Sequence, residues 1–391
     1  MKICLDLRYK TESGGSTYVK EVAERLLRLD RENRYVLLKY GDQHFPWEHL
    51  AAETLISPRW LNGLELAWTA LVLPFRLRHL GVDVHHGLKA PVPIRNLVPT
   101  VTTMHSTHDS WRSEYHNNWK MKLFFQLYGN HVWRHCTAVI TVSEFVRDCI
   151  TQHHHVDPEK VFVVHHGIDE SFRPMPAEQI APVLAKHGLA PGYILSLGNV
   201  TPIKNQITIL RALARLKGEI GAPLVFLGKL DHPNSCHREL VAAAAELGLA
   251  DRVRFLGYQP RADVPALVNG ARVMAFPSNN EGFGFAMMEA LRCGVPVIAS
   301  TVGPLPYLGG DGVLLIEDRH NDAVLADLLR RVVASDELHR RLSRGALEAA
   351  ARCSWDRAAR EHLEVYEWTH GRAQAKRAGV TWGTATPARP A

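Results

Sequence analysis

The stretch Pro277-Ser-Asn-Asn-Glu281-Gly-Phe-Gly-Phe-Ala-Met-Met-Glu289-Ala-Leu-Arg-Cys-Gly-Val-Pro-Val-Ile-Ala299 decides the fold. Before it, Val273-Met-Ala-Phe276 reads as a buried strand ended by Pro277. After it, Gly294-Val295-Pro296 breaks the chain before a second apolar run, Val297-Ile-Ala-Ser300. The order is strand, loop, helix, strand, with the loop at the carboxyl end of the first strand, where open parallel sheets take their ligands. The first helical turn, about Gly284 to Ala286, offers unpaired backbone N–H groups that suit phosphate oxygens. Glu281 precedes the helix and reaches outward, whereas Glu289 lies about a turn and a half inside and lines the groove wall. Sugar hydroxyls donate well to carboxylates, so the two glutamates suit the ends of a ligand whose middle is a diphosphate. An acid and base pair for glycosidic hydrolysis fits less well, because the local pattern favours a phosphate-containing ligand.

Apolar runs and amphipathic stretches alternate along the rest of the chain, the pattern of parallel α/β sheets. Strands are expected at Lys2–Leu7, Tyr35–Leu38, Val82–His85, Val98–Thr103, Ala138–Val142 and Val161–His165 in the first half. The second half adds Tyr193–Leu197, Leu224–Leu227, Val253–Phe255, Val273–Phe276, Pro296–Ser300 and Gly312–Leu315. Two prolines in Ser171-Phe-Arg-Pro-Met-Pro176 punctuate the halves. The expected division is 1–174 and 175–354, a last helix over about 355–370, and a disordered tail over 371–391. Two doubly wound domains facing each other leave a cleft for small molecules.

The chain has 391 residues, 46% hydrophobic and 22% charged, which suits two ordinary soluble domains. Its net charge is +6, of which +4 falls in the last 21 residues (Arg372, Lys376, Arg377 and Arg389, with no acid). The remainder is close to balanced, so no nucleic-acid partner is indicated. Six scattered cysteines form no CxxC pair and read as reduced thiols. The strand that begins at Lys2 leaves no room for a signal peptide. The longest apolar run, Leu66 to Phe75, is about half a membrane span. A cytoplasmic protein is the expectation.

Three further segments carry chemistry. Ile194-Leu-Ser-Leu-Gly198-Asn199-Val-Thr-Pro-Ile-Lys204-Asn205 is a strand, a glycine turn and a cation at a helix start. There Lys204 opposes the helix dipole, a conflict that a diphosphate relieves. Asp6-Leu-Arg8 leads through Gly14-Gly15 into a helix from residue 16, and two glycines allow a close backbone approach, although a simple turn reads equally well. No G-x-G-x-x-G is present, against a nicotinamide enzyme. Thr102-Thr-Met-His105 ends a strand; alone, such a histidine is more often a hydrogen-bonded core residue.

These residues resemble the E-x7-E motif and companion segments of the retaining, GT-B-fold glycosyltransferases of family 4, the "glycosyl transferases group 1" type, over nearly the whole chain. The resemblance implies α/β GT-B architecture, two doubly wound Rossmann-like domains facing across a cleft, with the last helix crossing back onto the N-terminal domain. It implies hexose transfer from a nucleoside-diphosphate sugar to a hydroxyl of a glycan or lipid-linked acceptor, with mannose a frequent sugar, and no bound metal or cofactor. His105, Lys204 and Glu281 are then catalytic. Gly14, Gly15, Asn199, Lys204, Glu281, Gly282, Phe283, Gly284, Phe285 and Glu289 bind the donor, with Glu289 on the ribose.

The chain departs from the family pattern at Asn199 (usually Arg), His166 (usually Asn) and Tyr307 (usually Glu), and Ser106 follows His105 where the family has Asp, with Asp109 further on. One phosphate contact is therefore neutral or comes from another residue. Val82-Asp-Val-His85-His86 resembles a strand end whose His86 faces the cleft. Gly228-Lys229 and Gly257-Tyr258 fall where the family meets the nucleotide, or are simple turns. Trp111, Trp119, Phe124, Phe125, Tyr128 and Trp133, interleaved with Arg112, Lys120, Lys122 and Arg134, suit a buried helix, with peripheral membrane contact as the alternative. The rival functions are a same-fold phosphorylase or epimerase and a non-catalytic nucleotide-sugar-binding subunit.

Overall fold

The computed structural model describes residues 1–9, 14–58, 65–89, 92–93, 96–105 and 130–379. Ser106, Asp109, most of the basic-aromatic stretch (Trp111 to Tyr128) and the last twelve positions lie outside the described residues. The chain divides into two compact units, Met1–Gly167 with Ser354–Ala391, and Ile168–Cys353.

Unit 1 holds a sheet of β1 (Lys2–Asp6), β2 (Arg34–Tyr40), β3 (Glu53–Ser57), β4 (Val84–Gly87), β5 (Thr100–Met104), β6 (Ala138–Thr141) and β7 (Val161–Val163), in the order β3-β2-β1-β4-β5-β6-β7. Unit 2 holds β8 (Tyr193–Leu197), β9 (Leu224–Leu227), β10 (Val253–Gly257), β11 (Ala271–Phe276), β12 (Val297–Ser300) and β13 (Val313–Ile316), in the order β10-β9-β8-β11-β12-β13. The pairs flanking the middle of each sheet, β1 with β2 and β4, and β8 with β9 and β11, are parallel. Central strands are buried on both faces (β1 apart from Lys2, and all of β5, β8, β9 and β12), which explains their unbroken apolar reading. Strand order reverses between β1 and β4 in unit 1 and between β8 and β11 in unit 2. Crevices outside the strand ends at such switch points are where open α/β sheets bind ligands.

β3 carries no strand signal in sequence because it is an edge strand that leaves Glu53, Thr54 and Ile56 exposed. The units divide at Gly167, ahead of the expected boundary at residue 174. A Cβ on Gly167 would lie 2.2 Å from the Trp355 nitrogen, so the chain is seated in unit 1 up to that point. Beyond it the proline-rich stretch belongs to unit 2, where Arg261 pairs with Asp169 at 2.6 Å and the Met175 N–H bonds Asn269 Oδ1 at 3.0 Å.

The last helix, Trp355–Ala378, opens on Ser354, whose hydroxyl accepts from the Arg357 N–H. It packs in unit 1 through His362 and Tyr366, which bond Tyr18 and His86. It also runs past residue 370 and corrects the expected tail. In this extension Arg372 lies over the Trp368 ring at 4.8 Å and reaches Asp157 at 3.8 Å, and Gly379 ends the helix in the left-handed region (φ 69°).

Candidate functional site

The unit 2 switch point is built by the loops leaving β8 and β11. The β8 loop closes in a single 3₁₀ turn, Pro202–Lys204, followed by Asn205 in the left-handed region (φ 51°) and then the helix Gln206–Arg215. Lys204 thus ends the turn before the helix. Its Nζ donates to Glu281 Oε1 at 2.5 Å and lies 5.0 Å from the centre of the Phe276 ring. The Ser278 hydroxyl donates to the same carboxylate oxygen at 2.8 Å, and the Ser300 hydroxyl fixes the Ser278 carbonyl at 2.7 Å. Two expected site residues, 77 positions apart, are therefore one ion pair. The cation that opposes a helix dipole in sequence is offset by Glu281 before any ligand arrives.

Gly282, Phe283 and Gly284 carry the chain from Glu281 into the helix Phe285–Arg292. Phe283 is buried and packs against Phe285 with ring centres 5.0 Å apart, which anchors the turn. Gly284 sits at φ 86°, and a Cβ there would meet Leu305 Cδ2 at 2.6 Å. The helix has no side-chain cap and no acid in its first turn, so its dipole favours an anion at that end. Gly284→Ala combines a left-handed alanine with that clash. It is expected to lower stability by about 2 kcal/mol or more, read from the urea midpoint of unfolding.

Glu289 lies on this helix, partly buried, and its carboxylate accepts no hydrogen bond among the described residues. Burial pushes its pKa up to about 7, against the nearby Arg261, while Asp169 adds to the rise. Such a group gains from a ligand hydroxyl.

Around this centre the strand ends are tied backbone to backbone. Gly198 N–H bonds Leu227 O at 2.8 Å and Gly228 N–H bonds Gly257 O at 3.1 Å. A Cβ on Gly228 would stand 2.1 Å from Gly198 O, so the backbone itself packs there. Asn199 offers its carbonyl to Gln206 Nε2 at 3.1 Å. Lys229 lies 5.7 Å from the Tyr258 ring centre, with both residues exposed.

Sequence reasoning missed Asn279 and Arg319. The Asn279 N–H bonds Ile203 O at 2.7 Å and its Nδ2 bonds Pro202 O at 2.9 Å, while Arg319 Nε donates to Asn279 Oδ1 at 2.7 Å. The Asn205 amide in turn donates to Arg319 O at 2.8 Å across 114 positions of sequence. The polar Ser278-Asn279-Asn280 run was the one available signal. Nothing local marks Arg319.

In unit 1 the expected residues separate. Gly14 and Gly15 lie in the first turn of the helix Gly14–Leu29 rather than in a loop before it, and a Cβ on Gly15 would touch the Lys89 side chain at 3.1 Å. Arg8 is buried and committed to Asp6 through two bonds at 2.9 and 2.6 Å, with Ser57 and Thr69 as further acceptors and Glu65 at 4.0 Å. It therefore holds the β1 end together. His86 is fully buried, its nitrogens on Tyr366 Oη (2.7 Å) and Thr103 Oγ1 (2.8 Å), so it faces the core instead of a cleft. His105 bonds Leu88 O through Nε2 at 2.7 Å, packs edge-on to Tyr18 at 4.7 Å and stacks on His166 at 5.5 Å. Its Nδ1 has no partner among the described residues.

Burial lowers the pKa of His105 and His362 to about 4, and holds His86 and His166 well below the usual imidazole value. These groups stay neutral in the fold, while unfolded imidazoles take protons near 6.5. Their contribution is complete above about pH 6.5 and is lost as pH falls toward 4. Unit 1 should therefore lose amide-exchange protection before unit 2 on acidification across that window.

Among the described residues no three His, Cys, Asp or Glu side chains come together to hold a metal ion, and no helix is long and apolar enough to cross a membrane.

Residues 13–172 match the family described as Glycosyltransferase Family 4, and residues 185–349 match Glycosyl transferases group 1. A D-inositol 3-phosphate glycosyltransferase of Streptomyces bingchenggensis is 36% identical over 58% of this chain and 52% of its own length. O-antigen chain mannosyltransferase B of Escherichia coli is 29% identical over 73% of this chain and 74% of its own. The chain thus spans about half the length of the first of these relatives. Among solved structures, sucrose-phosphate synthase from Thermosynechococcus elongatus superposes with a TM-score of 0.75 at 20% identity, covering 95% of this chain and 99% of that one. Anabaena HepE in complex with UDP and glucose superposes at 0.73 and 19% identity, covering 94% and 99%. At these identities the likeness carries the fold, the two-domain α/β GT-B architecture. With one family match falling on each unit and both strand-order reversals in place, the chain belongs to the GT-B glycosyltransferases of family 4, group 1 type.

Proposed function

We propose that the protein transfers a hexose from a nucleoside-diphosphate sugar to a hydroxyl of a glycan or lipid-linked acceptor, with retention at the anomeric carbon. The observation that carries this reading is the Lys204–Glu281 pair beside the uncapped helix N-terminus at the unit 2 switch point. Without ligand the two side chains satisfy each other. A donor exchanges both partners at once: its diphosphate takes the Lys204 ammonium, and its sugar hydroxyls take the Glu281 carboxylate. Glu289 receives the ribose hydroxyls, and the N–H groups of the first helical turn face the phosphate oxygens. For unit 1 the reading assigns Gly14 and Gly15 to the diphosphate and His105 to the orientation of the donor sugar.

As the anomeric C–O bond breaks, negative charge grows on the leaving diphosphate, and Lys204 with the backbone N–H groups stabilises it. The acceptor oxygen attacks from the face the diphosphate leaves, its proton passes to a diphosphate oxygen, and no protein nucleophile is required. The proposed reaction invokes no metal. The proposal places the reaction in the cytoplasm, at the inner face of the membrane when the acceptor is lipid-linked.

Mannose is the first sugar to test, since one relative is named a mannosyltransferase. The test is a panel of GDP-, UDP-, dTDP- and ADP-sugars with glycan and lipid-linked acceptors, products identified by mass spectrometry. The expected products are a glycosylated acceptor and free nucleoside diphosphate. A sugar phosphate, an epimerised donor, or binding without turnover on any acceptor would overturn the reading in favour of a phosphorylase, an epimerase or a binding subunit.

A further inference from the structure

The ends of β8, β11 and β13 are joined by one ring of hydrogen bonds, and we propose that Asn279 and Arg319 are positioning residues that set the Lys204 ammonium for the leaving diphosphate. This rests on the glycosyl-transfer reading above and adds to it the residues that aim its cation.

The turn that carries Lys204 is short, and its backbone is unusual. Its carbonyls at Pro202 and Ile203 precede the helix Gln206–Arg215, and Asn205, directly after Lys204, is one of two non-glycine residues at positive φ among the described residues. A left-handed asparagine costs backbone energy that its surroundings must offset. The surroundings are specific. Asn279 grips both carbonyls, through its backbone N–H to Ile203 and its side-chain Nδ2 to Pro202. Arg319 Nε holds Asn279 Oδ1, which fixes the amide so that Nδ2 faces the turn. The Arg319 carbonyl then accepts from Asn205 Nδ2, while Asn205 Oδ1 accepts from Thr208 at 3.0 Å.

The same β11 loop holds the turn at its other end. Two residues beyond Asn279, Glu281 takes the Lys204 ammonium, and Ser278 braces Glu281. Backbone and side chain of Lys204 are thus referenced to one four-residue loop. When a phosphate draws the ammonium from Glu281, only the backbone grip remains to define where the lysine stem starts. Arg319 touches no ligand in this account. It acts through Asn279.

The experiment is a kinetic double-mutant cycle with the full chain. Arg319→Ala and Asn279→Ala should each lower kcat about tenfold or more, with donor KM within about threefold, because a displacement near 1 Å at a reacting group costs rate rather than affinity. Arg319→Lys, which keeps a donor for Asn279 Oδ1, should recover part of the loss. In a Lys204→Ala background, Arg319→Ala should lower kcat no further. Equal losses in both backgrounds would overturn the proposal and leave Arg319 a merely structural residue, as would a loss confined to KM.

A second arm needs no substrate, and so separates this proposal from the functional reading. The coupling between Lys204→Met and Glu281→Gln in urea unfolding should be measurable in the parent chain and absent beside Arg319→Ala. Coupling that persists unchanged would overturn the positioning role even if sugar transfer were established. Lost coupling in a chain that transfers no sugar would uphold the clasp and reject only the reaction.

Discussion

Replacing Lys204 by alanine is expected to lower kcat by about 10²–10³, the usual cost of losing a charge-stabilising donor at a transition state. Donor KM should change far less, because in the proposed reaction Lys204 is drawn most strongly to the diphosphate as its charge grows. The ligand-free structure adds a second consequence. Glu281 is only 10% exposed at its side chain and would keep Ser278 but lose its cation. Lys204→Ala should therefore also destabilise the protein, and Lys204→Ala with Glu281→Gln should recover stability without recovering turnover. Steady-state kinetics and urea unfolding on the same samples separate the two effects. Unchanged turnover with a validated donor would remove Lys204 from the reaction.

Glu289→Gln is expected to have opposite signs on binding and on stability. Hydrogen bonds from ligand hydroxyls to a charged carboxylate are each worth about 1.5–3 kcal/mol, so donor affinity should fall roughly 10- to 100-fold. Free of ligand, the same carboxylate carries a pKa raised to about 7 by its own burial. Both folded and unfolded forms are neutral below about pH 4. Between there and pH 7 the unfolded chain ionises first, so the folded state loses stability as pH rises, and the loss is complete above pH 7. A rise from the ordinary glutamate value of 4.5 to about 7 corresponds to about 3 kcal/mol, at about 1.4 kcal/mol for each tenfold change in acidity. Glu289→Gln should accordingly stabilise the ligand-free protein near pH 8 and make no difference near pH 4. Thermal midpoints of both proteins across that range check it. A variant that is less stable at pH 8 would contradict the placement of an uncompensated carboxylate on that helix.

Most strands were legible in the sequence because they are buried on both faces and read as apolar runs between turn residues, as Tyr193–Leu197 and Leu224–Leu227 do without error. β3 was not, since an edge strand buries only Leu55 and Ser57 and reads as mixed. The helix beyond Gly371 was hidden for a related reason: Arg372 meets Asp157, a contact distant in sequence that local composition does not reveal. In the candidate site, Glu281, Gly284 and Glu289 were marked out by their fixed spacing along one loop and helix. Lys204 was legible as an anomaly, a cation where the dipole is already positive, but its answer in the resting state is Glu281. His86 misled because a histidine at a strand end looks the same whether it meets solvent or, as here, a tyrosine on the last helix. The Asn279–Arg319 grip was beyond reach, since it joins three loops through side-chain bonds with no periodic signature.

The central claim is that the β8 and β11 loops of unit 2 hold the diphosphate and ribose of a sugar nucleotide. Its most direct test is a thermal-shift titration of the parent chain, Lys204→Ala and Glu289→Gln with GDP-, UDP-, dTDP- and ADP-sugars and the matching nucleosides. Binding to the folded state alone must raise the midpoint by mass action. The account predicts a saturable rise for the parent with at least one sugar nucleotide, little with its nucleoside, and most of the rise lost in Glu289→Gln. No rise with any sugar nucleotide, or equal rises in all three proteins, would contradict it.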